Sequence, residues 1–231
     1  MSSVFDQIAY DEASHTYTLN GQALTSVGRM IDYVKQPFDA PTIAARTAAK
    51  TGQTVEEVLA MWETKRVAAQ QRGERVHRYI ERVLRGQQDA ADSDTFLALN
   101  DKLPEEHAFD SFWEQTGSKL QVLKTEWIVG DAELGVAGRL DSLFSSPATN
   151  RDHVWDWKTG SRFNTSNRWQ ILLPPFDDLD DCEFNCYSLQ LSLYRLIVER
   201  NLQAGLGDST SCTSPQVTSR STKHSTCVSA C

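Results

Sequence analysis

The chain has 231 residues, of which 40% are hydrophobic, and it carries six tryptophans and a formal net charge of −8. This length fits one sizeable α/β domain or two small ones, and the apolar content excludes disorder along the whole chain. No apolar run reaches the roughly 18–20 residues of a membrane span, and the first residues lack the basic start and apolar stretch of a signal peptide. We therefore expect a soluble intracellular protein without a membrane partner.

The five cysteines fit such a compartment. An odd number of cysteines in a chain without a secretion signal argues against a disulfide framework. No Cys-x-x-Cys pair occurs, which disfavours a zinc site. We expect reduced thiols.

Local charge differs from the total charge. Phosphate contacts usually come from Lys and Arg, so a negative total disfavours a general nucleic-acid binder. Residues 65–85 are nonetheless basic, whereas acid is concentrated at residues 177–181. The basic run either contacts nucleic acid or forms a solvated helix face with i,i+4 partners such as Glu74 and Arg78. Its members are Lys65, Arg66, Arg72, Arg75, Arg78, Arg82 and Arg85.

The N-terminal half predicts a hairpin followed by helices. Residues 7–27 alternate polar and apolar side chains, and Asn20-Gly21 is typical of a hairpin turn. A helical region follows from residue 43, with a capping box at Thr54-Val55-Glu56-Glu57. Gly73 is expected to divide this region into two helices, and a further helix is predicted over 104–116.

The second half predicts a sheet closed by one more helix. Strands are expected at Leu120–Val129, Gly135–Phe144 and His153–Trp157, and their short connections favour an antiparallel meander. A helix follows from Phe184 to Arg200. Its expected buried side comprises Leu189, Leu193, Leu196 and Ile197. The resulting fold class is α/β (α+β), with a mixed, mainly antiparallel sheet flanked by helices.

The last residues differ in composition. From residue 209 onward about half of the residues are Ser or Thr, and such a segment cannot bury enough surface to offset its chain entropy. We therefore predict a folded domain over 1–202 and a disordered, truncated or frame-altered tail over 203–231. The domain comprises the hairpin 7–27, the helical region 43–116 and a catalytic core 118–202.

Two short motifs carry acidic side chains on neighbouring predicted strands. Asp141 ends Gly138-Arg139-Leu140-Asp141, and Asp156 begins Asp156-Trp157-Lys158. On adjacent antiparallel strands these two carboxylates can share a Mg²⁺ ion, which usually takes one or two carboxylates. The ammonium group of Lys158 could orient an attacking water and offset negative charge on a phosphate. The alternative is a surface strand with paired charges.

Two helices can add to such a site. The neutral imidazole of His77 tolerates Mn²⁺ as well as Mg²⁺ and could complete a coordination shell; alternatively it is a hydrogen-bonded structural histidine. Gln190 and Tyr194 share a helix face, where the amide could hold Lys158 and the phenol could reach a phosphate. A half-buried polar stripe is the alternative for this pair.

The motif order Gly-x-x-x-His, Gly-x-x-Asp, Asp-x-Lys, Gln-x-x-x-Tyr resembles the RecB-like branch of the PD-(D/E)XK nuclease superfamily. Within that branch it is most similar to virus- and phage-encoded exonucleases. The resemblance covers roughly residues 7–200. The segments that carry it are TVEEVLAMWETKRVAAQQRGERVHRYIE, KTEWIVGDAELGVAGRLDSLF, VWDWKTG and YSLQLSLYRLIVER.

The resemblance implies a restriction-endonuclease-like core that cleaves DNA with Mg²⁺ or Mn²⁺, in DNA repair, recombination or replication. The implied ligands are His77, Asp141, Asp156 and the Trp157 carbonyl, with Asp141, Asp156 and Lys158 catalytic. The implied substrate-binding or supporting residues are Gln190, Tyr194, Glu126 and Arg139. Attack by metal-activated water would leave a 5′-phosphate. Members of this branch often digest from a terminus, so exonuclease is favoured over endonuclease.

The chain also departs from the family pattern. No β-rich run follows the last helix, so the sheet is expected to lack its final strand. No cysteine precedes Cys182, so no iron–sulfur cluster is expected. Two other functions stay open at this point: a non-cleaving nucleic-acid binding module with a nuclease fold, and an interaction protein with a Trp-rich surface.

Overall fold

The computed structural model describes residues 4–86, 102–160, 163–202 and 226–228. It opens with three short antiparallel strands. Asn20 and Gly21 form the turn between the second and third strands, as predicted, and both have positive φ angles of 52° and 80°. Positive φ at both central residues is the requirement of a type I′ turn, which Asn-Gly meets best. The strands are β1 (Ile8–Asp11), β2 (Thr16–Leu19) and β3 (Gln22–Ser26).

The predicted antiparallel meander is confirmed. It comprises β4 (Gln121–Asp131), β5 (Val136–Ser146) and β6 (Arg151–Trp155). Strand β4 pairs along one edge of β5. The opposite edge is shared, because β3 pairs in parallel with residues 136–137 and β6 pairs with residues 142–146. Residues 138–141 therefore lie between two partner strands on that edge, and Asp141 is among them.

Five helices flank the sheet within the described residues. The predicted fold class, a mixed α/β fold with a mainly antiparallel sheet between helices, is confirmed. The capping box is also present, since Thr54 and Glu57 exchange side-chain-to-backbone hydrogen bonds. The helices are α1 (Val27–Asp32), α2 (Ala40–Thr51), α3 (Val55–Leu84), α4 (Pro104–Thr116) and α5 (Glu183–Leu202).

The predicted break at Gly73 is wrong, because α3 runs through it without interruption. The helical region is broken instead at Gly52, whose φ of 72° places it in the left-handed conformation that ends α2. A Cβ atom on Gly73 would lie 3.3 Å from the Thr159 hydroxyl oxygen. Gly73 therefore permits close packing of α3 on the segment after β6.

Helix α3 has 30 residues and spans about 45 Å. Its first turns pack on α2 through Val58, Ala44 and Ala48. Its last turns pack on α4 and the sheet through Val76 and Ile80. Residues 63–72 between these two contacts are exposed on all sides. Helix α3 thus connects its contact with α2 to the core that holds the site.

The buried side of α5 differs from the prediction. Leu196 is 44% exposed, and Leu189 and Leu193 are only partly buried. Leucines occur around the whole circumference of this helix, so the spacing of apolar residues did not select one face. The residues that enter the core are Leu191, Tyr194, Ile197 and Val198.

The basic run on α3 is partly neutralised by local carboxylates. Arg72 pairs with Glu105 and Arg75 with Glu106 on α4, each through two hydrogen bonds. Arg66 pairs with Glu63, and Arg85 with Glu81, on α3 itself. Within the described residues, no carboxylate pairs with Lys65, Arg78 or Arg82. The expected i,i+4 pairing is present at Arg85 and Glu81, whereas in the described residues Glu74 accepts a hydrogen bond from Gln70 and not from Arg78.

The C-terminal prediction falls mostly outside the described residues. From the predicted tail, the structure describes only Thr226–Val228, as strand β8 antiparallel to β7 (Lys158–Gly160). The main sheet gains no strand after α5 in the described part of the chain. Among the described residues, no helix is long and apolar enough to cross a membrane.

We predict that Arg75→Met destabilises the fold by about 3–5 kcal/mol, because it leaves the Glu106 carboxylate buried without its guanidinium partner. The side chain of Glu106 is fully buried in this pair. Urea unfolding measures the change. Arg66→Met is the matched control, since its pair with Glu63 is exposed, and it should leave the unfolding midpoint nearly unchanged. Equal midpoints for both variants would contradict the prediction.

Candidate metal and catalytic site

A histidine and two carboxylates converge where α3 crosses β4 and β5. The strand register pairs residue 125 with 142 and residue 127 with 140, so Glu126 stands opposite Asp141. His77 Nδ1 lies 3.5 Å from Asp141 Oδ1 and 3.8 Å from Glu126 Oε1. One ligand atom from each of the three residues lies within 4.8 Å of the others. Such a set of two oxygens and one nitrogen suits a hard divalent cation.

Glu126 has an unusual backbone conformation for a strand residue. Its φ is 46°, in the left-handed region that costs a non-glycine residue about 1–3 kcal/mol. The side chain is held from the other side by Arg139, whose Nε lies 2.9 Å from Glu126 Oε2. Arg139 in turn stacks over the ring of Tyr10 at 5.4 Å. One carboxylate oxygen therefore faces arginine and the other faces His77.

Asp141 is fixed through its second oxygen. The main-chain N–H of Trp157 donates to Asp141 Oδ2 at 2.6 Å. Strand β6 consequently ends at Trp155, two residues before the predicted end, because a side-chain carboxylate takes the place of a ladder partner. The Trp157 indole N–H donates to the Ser142 hydroxyl at 3.0 Å, and its ring is 2% exposed.

Asp156 and Lys158 form a second charged group beside the first. Lys158 Nζ lies 2.6 Å from Asp156 Oδ2. Burial and the negative charge of Asp141 raise the pKa of Asp156 to about 6, against the opposing effects of Lys158 and His77. Burial lowers the pKa of Lys158, but Asp156 and Asp141 outweigh it and raise it above its ordinary value. Lys158 is therefore a permanent ammonium at neutral pH.

The same balance of burial and charge acts on His77. Burial lowers its pKa, but the carboxylates of Asp141 and Glu126 outweigh burial and raise the pKa to about 10. Without a cation, the imidazolium therefore neutralises part of the negative charge. A metal ion that coordinates the imidazole must displace its proton.

Gln190 and Tyr194 support the strand that carries Asp141. The Tyr194 hydroxyl donates to the main-chain carbonyl of Arg139 at 3.0 Å, in the interval of β5 between its two partner strands. Its ring is 4% exposed, and burial raises its pKa, opposed in part by a hydrogen bond with Gln190. A Cβ atom on Gly138 would lie 2.7 Å from the Tyr194 hydroxyl oxygen, so only glycine fits there.

The structure brings some of the predicted site residues into one group and leaves others beside it. His77 and Asp141 meet with Glu126, whereas the Asp156 carboxylate pairs with Lys158 instead of joining these three atoms. Glu126 belongs to no short motif, so sequence reasoning gave it only a supporting role. The signal that could have found it is the antiparallel register with Asp141.

The chain matches the family model of the PD-(D/E)XK nuclease superfamily over residues 49–224. The protein belongs to this superfamily. No curated protein and no solved structure matches it significantly. The mixed sheet between helices is consistent with the restriction-endonuclease-like fold of these nucleases.

The residues of this site fit a divalent cation. Superfamily members use such metals, and here two carboxylates and an imidazole already lie within contact of a single point. The two carboxylates are balanced by the His77 imidazolium and the Arg139 guanidinium, and a cation that displaces the His77 proton can take over part of this balance.

We predict that binding of Mn²⁺ or Mg²⁺ releases one proton from His77. The reason is that Asp156 is ionised and His77 is protonated between their pKa values of about 6 and about 10, and a ligand imidazole must give up this proton. Apparent metal affinity should therefore rise with pH, about tenfold per unit in this range.

Calorimetry in buffers of different ionisation enthalpy counts the released proton. His77→Gln is the matched variant, and it should bind the metal more weakly without proton release. Metal binding by the wild type without proton release would show that His77 is not a ligand.

Proposed function

We propose that the protein is a metal-dependent DNA exonuclease of the RecB-like branch, similar to those of phages and viruses. It would hydrolyse phosphodiester bonds to leave 5′-phosphates, in repair, recombination or replication. The observation that carries this proposal is the group of His77, Glu126 and Asp141 next to the Asp156–Lys158 ion pair. Residues 1–202 would form the catalytic domain, followed by the tail 203–231.

We assign the metal ligands from this arrangement. His77, Glu126 and Asp141 would hold Mg²⁺ or Mn²⁺, with Asp156 and the Trp157 carbonyl as further ligands. Asp156 lies close enough to Asp141 for their charges to interact. When bound, such a cation activates water and neutralises charge on the phosphoryl oxygens.

Lys158 would act through its charge and not as a base. Its raised pKa keeps the ammonium protonated, so it can donate hydrogen bonds but cannot accept a proton at neutral pH. Asp156 holds this ammonium at 2.6 Å inside a buried environment. A fixed positive charge in a site of low dielectric stabilises the negative charge that develops on the phosphate.

The remaining predicted residues would position these groups. Arg139 holds Glu126 and is half-exposed, so its guanidinium can also reach a phosphate. Tyr194, with Gln190, supports the β5 carbonyl next to Asp141. Exposed Arg78 follows His77 on α3 and supplies a positive charge for the DNA backbone.

The first test removes one charge of the catalytic pair at a time. Lys158→Ala and Asp156→Asn should each lower cleavage at least about a hundredfold, by loss of the electrostatic stabilisation at the phosphate. The measurement is release of labelled nucleotides in Mn²⁺, with circular dichroism to check the fold. Lys119→Ala, which removes an exposed lysine from the short turn after α4, is the matched control.

Two outcomes would count against the enzyme. Full activity in both purified variants would refute the site. DNA binding by the wild type that is independent of Mg²⁺ or Mn²⁺, without cleavage, would identify a non-cleaving binding module. The main sheet favours this alternative in one respect, because it gains no strand after α5 in the described residues.

The second test addresses the mode of digestion. Linear single-stranded and linear duplex DNA should be degraded in Mn²⁺, whereas covalently closed circles of both kinds should persist. The products should carry 5′-phosphates, which a 5′-phosphate-dependent ligase detects. Cleavage of circles at a rate similar to that of linear DNA would replace the exonuclease assignment by an endonuclease.

A further inference from the structure

A cavity of about 550 Å³ lies beside the catalytic pair. Its walls come from the loop that precedes α5, from the first turns of α5 and from Lys35 after α1. The volume falls within the range of roughly 300–1,000 Å³ that small-molecule sites occupy. The side chains that matter here are Lys35, Asn167, Arg168, Trp169 and Tyr187.

Trp169 is the most exposed large hydrophobic side chain among the described residues, at 91%. Its loop is nevertheless held in place. The main-chain N–H of Trp169 donates to Asn167 Oδ1. Asn167 in turn donates from its main chain to Asp180 Oδ2 and from its side chain to the Asp181 carbonyl. An indole presented to solvent on a hydrogen-bonded loop is a preformed surface for stacking.

The carboxylates of the cavity wall bind main-chain N–H groups, so the basic side chains of the wall can bind an anion. Asp181 accepts a hydrogen bond from the Gln36 N–H, and Glu183 accepts one from the Asn164 N–H. Lys35, by contrast, has only an exposed contact of 3.5 Å with Asp32. In the described part of the chain, no carboxylate pairs with Arg168. The groups that remain free to bind an anion are therefore an ammonium and a guanidinium.

Tyr187 connects this cavity to the catalytic pair. Its ring lines the cavity and also lies 4.5 Å from Lys158 Nζ. A nucleic-acid strand with a phosphate at Lys158 would thus pass Tyr187 and reach the exposed indole of Trp169, since both residues line the cavity. An exposed aromatic face next to exposed cations is the combination that binds single strands.

We propose that this cavity binds unpaired nucleotides of a DNA single strand, which makes single-stranded DNA, or an unpaired end, the substrate of the nuclease. Trp169 stacks on a base, Tyr187 lines the path between this base and Lys158, and Lys35 and Arg168 contact phosphates. Bases within a duplex are already stacked on each other, so a duplex cannot use these aromatic faces. This inference rests on the proposed function, because it identifies the strand that reaches Lys158.

The test measures binding without cleavage. Fluorescence anisotropy with a labelled oligothymidylate and with a blunt duplex is recorded in EDTA for the full-length chain. Trp169→Ala should weaken single-strand binding about five- to a hundredfold through loss of one stacked base and leave duplex binding unchanged. Trp169→Phe should restore most of the affinity. The matched control is Phe38→Ala, which removes another exposed aromatic ring, 68% exposed, from outside the cavity wall.

Salt dependence tests the cations separately. Arg168→Gln should reduce the slope of log affinity against log salt for the single strand by about 0.7, the value for one lost phosphate contact. An unchanged slope, or equal losses for Trp169→Ala and Phe38→Ala, would overturn the inference. So would equal weakening of single-strand and duplex binding by Trp169→Ala.

The two proposals fail in different ways. If the wild type cleaves DNA but Trp169→Ala binds single strands normally, the cavity is not the strand site and the nuclease assignment stands. If single-strand binding depends on Trp169 but no divalent metal supports cleavage, the strand site stands and the exonuclease proposal falls.

Discussion

The antiparallel register between β4 and β5 places two carboxylates opposite each other, and the rest of the site adapts to that charge. Glu126 and Asp141 face one another across this strand pair, and the position 126 backbone takes a left-handed φ of 46°. Like charges at this separation repel in a buried environment. The imidazolium of His77 and the guanidinium of Arg139 balance them in the protein alone.

The neighbouring strand edge explains how Asp141 stays in place. β3 and β6 share one edge of β5 and leave residues 138–141 between them. Two groups from elsewhere in the chain donate hydrogen bonds to this interval. The Tyr194 hydroxyl donates to a main-chain carbonyl, and the Trp157 N–H donates to the Asp141 side chain. Because buried polar groups require partners, both contacts help to fix this interval of the strand. The absence of a side chain at Gly138 leaves room for the Tyr194 hydroxyl beside this strand.

The groups proposed to act by charge and the groups proposed to act by stacking lie on two adjacent surfaces. The metal group and the Asp156–Lys158 pair are buried or half-buried, where charges act strongly on a phosphate. The cavity beyond Tyr187 carries an exposed indole and two basic side chains, which would suit the bases and backbone of the proposed strand. A net charge of −8 is compatible with the proposed strand binding, since the charge of the proposed binding surface differs from the average of the chain.

Sequence alone determined the features whose causes are local. Asn20-Gly21 set a turn, Thr54 and Glu57 capped α3, and the short loops between β4, β5 and β6 allowed only an antiparallel order. The short motifs that carry the site residues were likewise recognisable from the sequence alone. Contacts between distant residues decided what spacing could not. Gly73 lies inside α3, where the missing Cβ leaves room for Thr159, and β6 ends early because Asp141 binds the Trp157 N–H. Glu126 meets His77 and Asp141 only through the register of the strands, which no motif reveals. Leu196 lies outside the core, which Tyr194 and Ile197 enter, because leucines surround α5 and its packing on the sheet decides which side is buried.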